Sequence, residues 1–159
     1  MLTKTNIKII TSVLLLVLID QITKTFFIWH LKTQPGYTIE LLPFLDIVYA
    51  WNYGISFGLF SNYYQYSNYV FLILNSAIVT WLCYILYSSS DSLTKLGLIL
   101  IISGAIGNLI DRISRGAVFD FIFVHYQSFE FPVFNIADSN ITIGVIVFIC
   151  NYFFLRKSP

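Results

Sequence analysis

The chain has 159 residues, of which 57% are hydrophobic and only 11% charged, with a formal net charge of +1 and a mean hydropathy of +0.77. Soluble domains carry about 25% charged residues, so this composition excludes an ordinary soluble protein and points to one small integral membrane domain over 1–159. No basic run offers a surface for nucleic acid, and none is expected as a partner.

Crossing a hydrocarbon core of about 30 Å takes roughly 20 apolar residues. Four runs meet that need, at about 7–29, 69–87, 96–113 and 136–155. The first is interrupted by Asp20 and Lys24; it exceeds signal-peptide length and lacks a small-residue cleavage site before Asp20, so it is read as a retained helix. A serine-rich link, Ser88 to Ser92, joins the second run to the third. The expected fold is therefore mainly α, a four-transmembrane-helix bundle.

The segments at about 32–66 and 114–135 are longer and differ in character. Ile39, Leu41, Leu42, Phe44, Leu45, Ile47 and Val48 make 38–49 too apolar for a solvated loop. The stretch 117–124 is rich in β-branched and aromatic residues, which favours strands. These segments are expected to form a small β-rich platform on the outer face, its aromatics dipping into lipid and its 37–49 portion covering a site.

Four crossings put both termini on one side. Lys4, Lys8, Arg156 and Lys157 flank the outermost spans without an acid, and Lys95 follows the serine link. Seven of the eight acids, all but Asp91, fall in the long segments or the helix ends beside them. The positive-inside rule then predicts cytoplasmic termini and places the long segments outside. Cys83 and Cys150 sit within apolar runs and read as small hydrophobes.

Acids beside hydrocarbon cost roughly 2.5–3.5 kcal/mol even on gentle insertion scales, so they usually have a task. Asp120, between Phe119 and Phe121, has no neighbouring base, and its partner must come from elsewhere in the fold. Asp138 follows Asn135 at the start of the last run, where Asn135 is a helix cap and the acid faces the positive end of the helix dipole. Capping alone is one explanation of Asp138; a proton shared with Asp120 is the other.

The remaining polar motifs also allow two readings each. Asp20 and Lys24 share a helix face, either as a local ion pair or as support for a site inside the bundle. Asn52, Gly54 and Gly58 have turn chemistry, while the Asn52 amide suits a peptide backbone. Ser103 and Gly107 form a small-xxx-small pattern that permits close helix packing. Asn108 and Arg112 follow on one face, and Asp111 is spaced to pair with Arg115. His30 and His125 are isolated, so no metal site is expected.

These residues fall into five ordered blocks: Asp20-Gln21-Ile22-Thr23-Lys24, Asn52 to Gly58, Gly104 to Arg112, Val118 to Phe121, and Phe134 to Asp138. Over nearly its full length the chain resembles the bacterial lipoprotein signal peptidases, signal peptidase II. Ile55-Ser56 stands where the family often has two alanines, a departure that removes no catalytic group.

The resemblance implies an aspartic endopeptidase with a catalytic dyad at Asp120 and Asp138. It implies support or substrate contacts from Asp20, Lys24, Asn52, Gly54, Asn108, Arg112 and Asn135. The implied substrates are prolipoproteins carrying diacylglycerol on the cysteine of a lipobox, cleaved just before that cysteine. No cofactor or metal is implied. The implied setting is a multi-pass monomer among lipids of the bacterial inner membrane, with its site near the outer face.

Two other classes are compatible with the acids alone: a small proton-coupled transporter or channel component, in which carboxylates form a relay, and a non-enzymatic scaffold, in which they serve as caps and ion pairs.

Overall fold

The computed structural model describes residues 3–54 and 64–155. Ile55, Ser56, Phe57, Gly58, Arg156 and Lys157, used in the sequence reading, lie outside the described residues, as does the rest of the first outer segment through 63.

Four long helices are present: α1 (Lys4–Leu31), α2 (Tyr64–Ser88), α3 (Ser92–Arg115) and α4 (Ile136–Cys150), the last continuing as a wider π turn over Asn151–Leu155. Each is long and apolar enough to cross a membrane. Helices α1 and α3 begin before the apolar runs because polar caps outside those runs satisfy their first N–H groups. Thr3 Oγ1 accepts from Asn6 N at 3.2 Å, and Asp91 Oδ2 accepts from Thr94 N at 2.6 Å. Large apolar side chains such as Leu14, Trp29, Ile73, Trp81 and Ile146 point outward, as a hydrocarbon solvent permits. Cys83 and Cys150 are exposed on the same surface.

Helix α3 is the centre of the bundle, packing most extensively on α4 and also on α1 and α2. Small residues let α3 and α4 touch backbone to backbone. A Cβ at Gly97 would stand 2.9 Å from the Gly144 carbonyl oxygen, and one at Gly144 would stand 2.6 Å from that of Gly97. Farther along, Gly104 lies against the Ala137 carbonyl. The seam thus runs through Gly97, Gly104 and Gly107, while Ser103 is buried with its hydroxyl turned back onto Leu100 O at 2.9 Å.

A four-stranded antiparallel sheet caps one end of the bundle in the order β1 (Thr38–Leu42), β2 (Leu45–Asn52), β3 (Val118–Tyr126) and β4 (Phe129–Glu130). It bears out the expected β-rich segments. The 38–49 portion extends the Asp120 strand sideways, with β2 against β3 and β1 at the edge.

Alternation decides how β3 sits. Phe119 and Phe121 share one face and pack with Leu31 and Ile47 in a buried cluster that also takes in Phe27. Tyr49 and Trp51 add edge-on contacts to Phe119, with ring centroids 5.1 and 5.2 Å away. Because strand side chains alternate, anchoring both phenylalanines turns Asp120 to the opposite face.

At the far end of the bundle Asn151 Nδ2 donates to Asp91 Oδ2 at 2.6 Å and to Thr94 Oγ1 at 3.0 Å. Asn6 lines a small cavity there with Cys83, Leu86 and Lys95. The first turns of α1, the serine link and the end of α4 therefore share the end opposite the sheet.

Candidate active site

Asp120 and Asp138 come together where β3 meets the start of α4, and Asn135 joins them. Asn135 caps α4 by accepting from Asp138 N at 2.9 Å, while Asp138 Oδ2 accepts from Asn135 N at 3.2 Å, a reciprocal capping box. With its oxygen so engaged, the Asn135 amide nitrogen faces Asp120 and donates to Oδ1 at 2.6 Å. Asp138 is thus part of a helix cap, and the same Asn135 side chain links it to Asp120.

The other oxygen of Asp138 accepts from Asn108 Nδ2 at 2.8 Å. Asn108 cannot turn its amide around, because its oxygen accepts from Lys24 Nζ at 3.0 Å and from Asn135 Nδ2 at 3.2 Å. Asp120 is also hydrogen-bonded by the Asn52 side chain, whose oxygen accepts from Gly54 N at 2.8 Å. Gly54 has φ +80°, a turn that L side chains rarely adopt, and its Cα faces the Phe71 ring.

Behind the dyad lies a second buried layer. Lys24 is 0% exposed and sits 3.0 Å from both Asp20 Oδ2 and Asp111 Oδ2, which are likewise buried. Its three ammonium hydrogens match three acceptors, the third being Asn108. Asp20 Oδ1 accepts from Ala137 N at 3.0 Å, tying α1 to the head of α4. Gly107 makes room for this, since a Cβ there would lie 2.6 Å from Asp20 Oδ2. Asp111 Oδ2 accepts from Phe119 N at 3.2 Å, tying α3 to the residue before Asp120, and Asp111 pairs with Arg115 as their spacing suggested.

Arg112 is buried beside this cluster, close enough to interact electrostatically with Asp120, Asp138 and Asp111, and its guanidinium lies 4.8 Å from the centroid of the Phe71 ring. Three cations (Lys24, Arg112, Arg115) therefore face four carboxylates (Asp20, Asp111, Asp120, Asp138). The carboxylates thus outnumber the cations by one, and Asp120 is the one whose surroundings oppose its charge. Burial and then the Asp138 charge push its carboxyl up to about 6, against the opposing bonds from Asn52 and Asn135 and the Lys24 charge.

All nine residues named from the sequence belong to this region. Sequence reading passed over Gln21, whose Nε2 bridges Asp20 Oδ2, Asp111 Oδ1 and the Gly107 carbonyl, each at 3.1 Å. Gln21 Oε1 and Thr25 Oγ1 each accept from Arg115 at 3.2 Å. The available signal was a run of polar side chains, Gln21, Lys24 and Thr25, beside Asp20 in an apolar helix. Asp46 and His125, 3.1 Å apart, form a separate pair on the sheet.

Fold and site together define a polytopic membrane protein whose buried charged groups are gathered at the sheet end of four helices. Residues 12–154 match the family model described as Signal peptidase (SPase) II. The lipoprotein signal peptidase of Rickettsia bellii is 53% identical over 146 residues, covering 92% of this chain and 74% of that protein. Its counterpart in Rickettsia prowazekii is 52% identical over 145 residues, covering 91% and 75%. A solved structure described as a bacterial membrane enzyme superposes with a TM-score of 0.76 at 31% identity, covering 96% of this chain and 93% of that one. A second, described in the same words, gives a TM-score of 0.75 at 31% identity, covering 94% of each chain. The chain belongs to the signal peptidase II family, and is a membrane protease.

Proposed function

We propose that this chain is an aspartic endopeptidase that removes the signal peptide from diacylglyceryl-modified prolipoproteins, cutting just before the lipidated cysteine. The observation that carries the reading is that Asn135 holds Asp120 by its side chain and Asp138 by its backbone, bringing two carboxyls to one place beside buried cations.

Asp138, with both oxygens facing N–H donors at the head of α4, acts as the base, and Asp120 carries the proton. Water attacks the scissile carbonyl carbon while Asp138 takes one of its protons and Asp120 protonates the carbonyl oxygen. Collapse of the resulting diol breaks the C–N bond as a proton passes to the leaving amine. The signal peptide leaves as a carboxylic acid, the lipidated cysteine gains a free amine, and the dyad is back to one proton. No acyl-enzyme is required.

The surrounding assignments follow. Asn52, Asn108, Arg112 and the turn at Gly54 flank the extended segment of substrate, and Asp20 and Lys24 hold the site together. The protein is a monomer of the bacterial inner membrane, with cytoplasmic termini and the sheet and dyad near the outer face. A lipid-modified substrate reaches that end laterally, its acyl chains remaining in the bilayer. A proton relay would need carboxylates along the bundle, whereas the buried ones in the described residues cluster at one end.

The test is incubation of the purified protein in lipid with a diacylglyceryl lipobox peptide and its unlipidated twin. Mass spectrometry should find one cut, before the cysteine, in the lipidated peptide. No cut, or a cut elsewhere, would remove the proposed function.

A further inference from the structure

Two polar side chains beside Asp120 and Asp138, one buried and one half-buried, carry buried atoms with no hydrogen-bond partner among the described residues. Arg112 is 8% exposed, and neither its Nε nor its Nη1 has a partner. Asn68, on α2, donates from Nδ2 to the Arg112 carbonyl at 3.3 Å, which fixes its amide orientation and leaves a buried Oδ1 without a partner. Leaving such groups unpaired is costly, and a ligand that pairs them recovers the cost. Phe71, one turn beyond Asn68, carries the Arg112 guanidinium on its ring and meets the Gly54 turn. The two unused groups thus stand on neighbouring helices, joined by Phe71 to the Asn52–Gly54 turn that touches Asp120.

The chemistry missing here is a donor for Asn68 Oδ1 and an acceptor for Arg112. An extended peptide supplies both on one edge, since the N–H and C=O of a single residue point the same way, as in a hydrogen-bonded antiparallel pair. We infer that Asn68 and Arg112 form a backbone-reading pair: Asn68 accepts the N–H, and Arg112 donates to the C=O, of one residue of the substrate segment flanking the scissile bond. The inference rests on the peptidase reading above and assigns α2 a substrate-binding role. It also gives Gly54 a second task, because a side chain there would displace Phe71 and with it the guanidinium.

The test is steady-state cleavage of a diacylglyceryl lipobox peptide and of a set in which each backbone N–H near the cut is replaced in turn by an ester oxygen. In the wild type one ester position should raise KM about fivefold, the effect of one lost hydrogen bond. Asn68→Leu should raise KM for the parent peptide by about the same factor with kcat within twofold, and the ester at that position should then add nothing. Asn68→Ala, with unfolding temperature followed alongside, makes the same comparison if the leucine variant folds poorly. A merely structural Asn68 would leave the ester penalty intact in both variants, and that result overturns the inference, as does an unchanged KM. A wild type that cleaves none of the peptides overturns the peptidase reading itself.

Discussion

Replacing Lys24 with Met keeps the stem volume and removes one charge at 0% exposure. Three acceptors lose their donor at once: Asp20 Oδ2, Asp111 Oδ2 and Asn108 Oδ1, all 3.0 Å from Nζ. The carboxylates are not stranded completely. Asp20 keeps Ala137 N and Gln21, and Asp111 keeps Arg115, Gln21 and Phe119 N. Breaking a buried pair by removing one partner costs about 3–5 kcal/mol. At about 2–4 °C per kcal/mol for a domain of this size, Tm should fall by roughly 6–20 °C. The assay is thermal unfolding in detergent followed by tryptophan fluorescence. Adding Asp20→Asn removes one negative charge along with the positive one and preserves the acceptor for Ala137 N, so the double variant should recover about half the loss. A single-variant drop under about 2 °C, or a double variant less stable than the single, would refute the charge bookkeeping.

The Asp120 carboxyl, raised to about 6 from an ordinary 3.8, makes the native state hold a proton that the unfolded chain has released. Stability is therefore gained as pH falls through about 6 and lost as it rises, by about 3 kcal/mol at the limit, so Tm of Asp120→Asn relative to wild type should increase between pH 5 and 8. On the same grounds kcat/KM should decline as pH rises through about 6, read from a pH–rate profile. Gly107→Ala places a methyl 2.6 Å from Asp20 Oδ2 and should lower stability by about 1–3 kcal/mol in thermal unfolding, with a parallel fall in activity. Asn135→Ala removes the cap of α4 and the donor to Asp120; its cap component should cost about 1 kcal/mol, and peptide cleavage should fall far more than that stability loss explains.

The helices were legible because hydropathy over a long run outweighs every local preference, and α1 and α3 begin before those runs because Thr3 and Asp91 cap them from outside. Strand β3 was legible from its aromatic and β-branched residues. The dyad residues stood out because acids beside hydrocarbon are costly. Which way Asp120 would point was not legible: it follows from Phe119 and Phe121 anchoring against Leu31 and Ile47, contacts between distant segments. Asp111 shows the same limit. Its pairing with Arg115 is local and readable, whereas its bonds to Lys24 and Phe119 N require α1 and β3 to be in place. Asn68 carried no sequence signal, and only the packing of α2 on α3 sets it beside Arg112.

The central claim is that Asp120 and Asp138 together activate the attacking water. It is tested most directly by cleavage of the diacylglyceryl lipobox peptide by wild type, Asp120→Asn and Asp138→Asn, each verified as folded by thermal unfolding. Each substitution should lower kcat by about 10²–10⁴-fold, the range for lost acid–base catalysis. Either variant retaining activity within about tenfold of wild type would contradict a dyad in which both carboxyls take part.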